Sequence, residues 1–264
     1  AMKNIFNSAG CISLLLAFSS MTQAAHHPDP LLDAIKDPAR NSAYAARDDS
    51  RNPYKTLSFF KITPSMQVLE LAAGGGWYTE ILSPYLRDSG SLTVTHYNPE
   101  SGAYAKRSRE GFDKKVASNP LFEGVKIVSM GDPINPQSKD LVLTFRNLHN
   151  WLARDTMTAT MLEAYNALKP GGYFGVVEHR APEGSSMEYM TTSGYVTQSL
   201  AIEVAESVGF TLIETSEINA NAKDTKDHPK GVWTLPPSYR LKDENRSKYQ
   251  EIGESDRMTL LFMR

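Results

Sequence analysis

Val68-Leu69-Glu70-Leu71-Ala72-Ala73-Gly74-Gly75-Gly76-Trp77-Tyr78-Thr79-Glu80-Ile81-Leu82 reads as a buried strand, a glycine turn and the first turns of a helix. Val68, Leu69 and Leu71 form an apolar run of strand length. Gly74 to Gly76 carry no Cβ, so the backbone can turn tightly there and approach a ligand closely. Tyr78, Ile81, Leu82 and Tyr85 then recur at helical spacing. A strand feeding a helix through glycines leaves free N–H groups and the positive helix end at the sheet's carboxyl edge, where α/β folds bind nucleotides. A dinucleotide fingerprint asks for G-x-G-x-x-G. Reading from Ala72, this chain has A-x-G-x-G instead, with an acid, Glu70, two residues ahead of the turn.

The chain has 264 residues, 41% of them hydrophobic and 22% charged, which suits one sizeable domain with elaborations. A net charge of −2 carries no basic excess, so no nucleic-acid partner is expected. Residues 1–25 have a secretory layout: a positive start at Lys3, a short apolar core from Cys11 to Phe18, and small residues at Ala24 and Ala25. The apolar core falls short of the ~20 residues of a membrane span, so no stable membrane insertion is expected after cleavage. Cleavage would remove Cys11, the sole cysteine, and with it any thiolate chemistry. A periplasmic or secreted location is the expectation.

Residues 26–62 read as a helical cap. Leu31, Leu32, Ile35 and Ala39 suggest one short helix, Ala43 to Arg47 another, and Tyr54, Leu57, Phe59 and Phe60 a third. Arg47, Asp48, Asp49 and Arg51 either face the pocket or form an ion-paired surface. Further strands are expected at Ser91–Thr95, Gly124–Met130, Asp140–Phe145, Tyr173–Glu178, Phe210–Thr215 and Met258–Met263. Asp155 is expected to cap a helix with the stripe Met157, Met161, Leu162, Tyr165 and Leu168, which Lys169-Pro170-Gly171-Gly172 would stop. Ala181 to Tyr189 reads as irregular, and a helix carrying Leu200, Val204 and Val208 follows. The stretch 216–255 has little periodicity, and unstructured connections beyond ~15 residues are uncommon unless functional. It reads as a substrate cover or as a surface flap.

Glu70 to Gly76, Asp140 to His149, Lys169-Pro170-Gly171-Gly172 and the terminal strand together resemble class I S-adenosylmethionine-dependent methyltransferases. Gly74 to Leu82, Phe145 to Trp151 and Gly253 to Met258 look like a group of bacterial methyltransferases with signal peptides. The resemblance implies an α/β Rossmann-like three-layer sandwich. Its seven-stranded sheet would run 3-2-1-4-5-7-6, the last strand antiparallel, with residues 26–264 as a single domain. It implies S-adenosyl-L-methionine as cofactor, held by Glu70, Ala72, Gly74, Gly76, Tyr78 and Asn147, with Ala72 standing where the family has glycine. The acid that usually holds the ribose is missing after the second strand; Asn98 or Glu100 would replace it. Asp132 would meet the adenine amino group.

Arg146-Asn147-Leu148-His149-Asn150-Trp151 follows the fourth strand, where such sheets place chemistry. His149 is a candidate general base, since imidazole titrates near neutrality; His179 and Tyr195 are further catalytic candidates. Arg146, Trp151 and Arg257 are candidate substrate contacts, the arginines for an anionic group. No metal site is expected: beyond adjacent His26-His27, the histidines show no paired ligand spacing. The leading reading is a methyltransferase acting on a small molecule in the periplasm. The other is an exported binding protein that keeps the fold without methyl transfer.

Overall fold

The computed structural model describes residues 28–264. Strand β1 (Gln67–Leu71) forms because Val68, Leu69 and Leu71 are buried on both sheet faces. It pairs in parallel with β2 (Ser91–His96) on one side and β4 (Lys139–Phe145) on the other. Beyond β2 lies β3 (Lys126–Ser129), and beyond β4 lies β5 (Leu168–Ala181), both also parallel. A two-residue β6 (Val196–Thr197) pairs only with the end of β5. Then β7 (Thr211–Ser216) and β8 (Arg257–Met263) complete the order β3-β2-β1-β4-β5-β8-β7. β8 is antiparallel to both neighbours, opposing Tyr173 to Met263 and His179 to Arg257. With β6 set aside, this is the order expected from the sequence.

Two apolar layers sandwich the sheet. One joins Leu69, Val142, Phe174 and Phe262 to helix α8 (Met157–Ala167) and helix α10 (Gln198–Ser207). The other joins Val68, Leu141 and Leu143 to α5 (Thr79–Leu86) and the N-terminal helices. Those are α1 (Pro30–Ile35), α2 (Ser42–Ala45), α3 (Asp48–Arg51) and α4 (Pro53–Phe59). Leu31, Ile35, Leu57 and Phe60 tie them to Ile81 and Leu82. Between β2 and β3 runs α6 (Ala103–Ser118).

Several local expectations need correction. Asp155 does not cap α8: it sits at φ 56, and the N-cap is Thr156, without a side-chain hydrogen bond. Leu162 is 45% exposed and leaves the apolar stripe. Lys169 to Gly172 belong to β5 rather than to a separate turn, because α8 already ends at Ala167. Ser186 caps α9 (Met187–Ser193) inside the stretch read as irregular. Within 217–256, α11 (Arg246–Ile252) forms near the end. Residues 1–25, and the secretory layout read there, lie outside the described residues.

Candidate active site

The turn after β1 explains its own spacing. Ala72, Gly74 and Gly76 have φ values of 53°, 61° and 82°, so every second residue is left-handed. Glycine takes that conformation freely; an L side chain costs about 1–2 kcal/mol. Ala72 is held there by its N–H, which donates to Thr95 Oγ1 at 2.8 Å. Asn147 Nδ2 donates to the Leu71 and Ala72 carbonyls at 3.2 and 3.4 Å. On the other side the turn is closed off. A Cβ on Gly75 would lie 2.6 Å from the Tyr44 hydroxyl. Tyr44 Oη and Lys115 Nζ both donate to the Gly75 carbonyl.

Beside this turn a crevice of about 530 Å³ opens at the carboxyl ends of β1, β2, β3 and β4, within the ~300–1,000 Å³ of small-molecule sites. Its walls are Ala72 from β1's turn, Thr95 from β2 and Tyr97 just after it, Gly131 after β3, and Asn147 and Trp151 after β4. Sequence reasoning placed Ala72 and Asn147 at a cofactor and missed Thr95 and Tyr97, whose side chains carry no family signature. Gly74 and Gly76 shape the turn without bordering this crevice. Asp132 is exposed, one residue beyond Gly131. Glu70 lies under the turn, where Thr79 Oγ1 donates to Oε2 at 2.6 Å, and burial pushes its carboxyl up to about 8. Tyr78 is buried and stacks on Phe145, ring centres 3.5 Å apart.

Two expectations change here. Asn98 spends its Oδ1 on the Glu100 N–H, closing a local turn, and does not line the crevice. His96 at the end of β2 also turns away, its Nε2 3.1 Å from the Gly74 carbonyl and its ring stacked on Phe112. Trp151 lines the crevice rather than a separate substrate pocket; it shares helix α7 (Leu148–Ala153) with His149 but is two positions further on.

A second pocket, about 220 Å³, lies beyond Arg146. Arg47, Arg51, Arg146, His149 and His179 line one side, and Trp233 with Pro236 and Pro237 from the 217–256 segment line the other. His149 Nδ1 is 2.9 Å from Glu178 Oε1. With Nδ1 donating to that carboxylate, Nε2 is the acceptor, the arrangement of a general base. His179 packs at 5.3 Å between ring centres and bonds Ser255 Oγ through Nδ1. Burial, then His149 and Arg146, hold His179 well below the usual imidazole range, so it is neutral. A cavity of about 20 Å³ bordered by Ala72, Tyr78, Phe145 and Arg146 shares Ala72 with the crevice and Arg146 with this pocket. That is room for one water-sized group.

Two candidates leave the site. Tyr195 is fully buried, and its hydroxyl donates to both Asp224 oxygens at 3.1 and 2.9 Å, so it anchors the 217–256 segment. Arg257 is consumed internally, donating to the carbonyls of Ser255 and Ser50 and pairing with Glu254 at 3.2 Å. Donor atoms of His149, Glu178 and His179 lie within 4.8 Å of one another, a convergence that ligand spacing along one element does not show. The sequence hid this because β5 contributes two of the three and α7 the other. Glu178 is already satisfied by His149 and by the His179 N–H at 2.7 Å, and the surrounding arginines oppose a dication there.

Residues 69–176 match the family model described as a methyltransferase domain. Among curated proteins, the chain is 30% identical over 125 residues to the ubiquinone/menaquinone biosynthesis C-methyltransferase UbiE of Shewanella halifaxensis. That match covers 47% of this chain and 47% of that protein. It is 28% identical over 163 residues to the highly reducing polyketide synthase NEC1 of Pyricularia oryzae, covering 58% of this chain and 6% of that one. The chain thus spans half or less of the length of these curated relatives. Among solved structures, a SAM dependent methyltransferase from Aquifex aeolicus aligns with a TM-score of 0.54 at 18% identity. It covers 73% of this chain and 94% of the other, a likeness of fold.

Proposed function

We propose that this chain, with its methyltransferase-like domain, transfers a methyl group from S-adenosylmethionine to a small molecule. One observation carries the reading: a cofactor-sized crevice opens beside a turn that is left-handed at positions 72, 74 and 76, at the carboxyl ends of four parallel strands. The donor set fits the group. Ala72 and Asn147 would flank it, Tyr97 and Gly131 would border its far end, and Glu70 underpins the turn. When bound, S-adenosylmethionine supplies an electrophilic methyl on a sulfonium. Such a displacement depends on alignment more than on acid–base groups. The 217–256 segment would hold the acceptor by presenting Trp233, Pro236 and Pro237 across the second pocket. His149, oriented by Glu178, would take a proton from an acceptor that must lose one.

Calorimetry with S-adenosylhomocysteine tests the cofactor. Micromolar binding is expected, and no heat at millimolar ligand overturns the reading. For the base, His149→Ala is expected to cut turnover about 10²–10⁴-fold with unchanged S-adenosylhomocysteine affinity; unchanged turnover removes the role. We further propose export, with residues 1–25 removed and the acceptor met in the periplasm. The support is the pattern of Lys3, the apolar core and Ala24-Ala25. The intact mass of the protein from a periplasmic extract tests it.

A further inference from the structure

A buried guanidinium is stable only when its donors are met and its charge is balanced. Arg51 is 3% exposed, and its Nε and Nη1 have no hydrogen-bond partner among the described residues. Its nearest carboxylate oxygen, Glu254 Oε2, is 3.7 Å from Nε, beyond hydrogen-bond range. Its guanidinium instead lies 4.5 Å over the Trp77 ring. Burial, then Arg146 and Arg47, push Arg51 down to about 7, whereas a guanidinium in water keeps its proton past pH 12. Arg146 is pushed down to about 10 by burial and by Arg257 and Arg47. It sits at φ 61 immediately after β4, a conformation that an arginine adopts only at a cost.

The single carboxylate bordering the pocket is Glu254. It is already divided among Arg47 at 2.6 Å, Arg257 at 3.2 Å and Arg51. Glu178 is occupied by His149. Positive charge therefore exceeds negative charge in a pocket whose other wall is Trp233, Pro236 and Pro237.

We propose that this pocket is a built oxyanion site: Arg51 and Arg146 bind the carboxylate or phosphate of the methyl acceptor, whose apolar body packs on Trp233. The identity of the anion as part of the acceptor rests on the methyl-transfer reading; anion binding itself does not. At about 220 Å³ the pocket lies below the ~300 Å³ lower end of drug-sized sites, so the acceptor is a small anion. The missing counter-charge is the ligand's own. An acceptor lacking it would leave Arg51 buried and unpaired, so the same arginines give selectivity.

The test titrates the cofactor-free full chain with inorganic phosphate and with benzoate, at ionic strength fixed by chloride, reading calorimetric heat and melting temperature. Saturable binding is expected for at least one anion. It should weaken at least tenfold in Arg146→Gln and stay unchanged in Arg107→Gln, which removes an exposed charge on α6. A stronger response to benzoate marks the acceptor as a carboxylate, and a stronger response to phosphate marks it as a phosphate ester. Arg51→Met supplies a second readout. Removing a buried cation that has no hydrogen-bonded counter-ion should raise the anion-free melting temperature by roughly 2–4 °C while abolishing the anion response. Binding that survives in both variants, or heat that chloride alone reproduces, overturns the proposal. Because the titration omits the cofactor, failure to bind S-adenosylhomocysteine would sink methyl transfer and leave the anion site standing.

Discussion

Ala72 occupies a left-handed position that the alternation of the turn reserves for glycine, and it borders the cofactor crevice. Ala72→Gly is expected to stabilise the protein by about 1 kcal/mol, the strain relieved less the extra entropy of glycine. A higher urea midpoint at unchanged slope would register it; a lower midpoint would mean the turn carries no strain. Glu70, below the same turn, is the residue whose titration matters most. Burial raises its carboxyl to about 8 from 4.5. The folded state therefore holds the proton more tightly than the unfolded one. Stability is full below about 4.5 and falls as pH rises towards about 8, a loss on the order of several kcal/mol. Glu70→Gln should flatten that slope, matching wild type near pH 5 and exceeding it at pH 8.5 in denaturant titrations. Parallel stability profiles would show that Glu70 stays ionised in the fold.

At the scale of elements, the segment between β7 and β8 behaves as a fastened cover. Asp224 is its rivet: it accepts from Tyr195, from His228 Nε2 at 2.8 Å and from the Asp256 N–H at 2.8 Å. Gly231 fits so closely that a Cβ there would lie 2.1 Å from the Ser193 carbonyl of α9. Tyr195→Phe is expected to cost about 1–3 kcal/mol, the price of an under-satisfied buried carboxylate, and to speed hydrogen exchange across 217–256. Turnover per folded molecule should survive, which separates this anchoring role from the catalytic one that the sequence suggested. A loss of turnover at unchanged stability would restore the catalytic role. The segment was legible only as a long unpatterned stretch. Its anchors are single polar residues whose partners sit on other elements, and periodicity carries no trace of such pairs. The strands, by contrast, were legible because burial on both faces leaves apolar runs such as Leu141 to Leu143. The start of α9 escaped notice because its cap, Ser186, follows Gly184-Ser185, small residues that also suit a loop.

For the whole molecule, strand order and the reversed β8 match what the family resemblance implied, while the division into two pockets was legible in neither resemblance nor pattern. Arg146 and Asn147 are adjacent in the chain, yet one lines the arginine pocket and the other the crevice. That split depends on the left-handed Arg146, a backbone feature with no residue-type signature. Likewise His149, Glu178 and His179 converge only because α7 folds back over the end of β5. A small cavity borders both Ala72 of the crevice and Arg146 of the arginine pocket, so charge in one should be felt in the other. S-adenosylmethionine carries a positive sulfonium; S-adenosylhomocysteine does not. Unbalanced guanidinium charge should therefore penalise the first and spare the second, and an anion at Arg51 and Arg146 should lift the penalty. Calorimetry at fixed ionic strength, with and without phosphate, is expected to show phosphate tightening S-adenosylmethionine about 5-fold or more and leaving S-adenosylhomocysteine nearly unchanged. By linkage, S-adenosylmethionine must tighten phosphate binding by the same factor. Equal effects on both cofactors would mean that the arginine pocket and the crevice are electrostatically independent, and that acceptor charge plays no part in admitting the methyl donor.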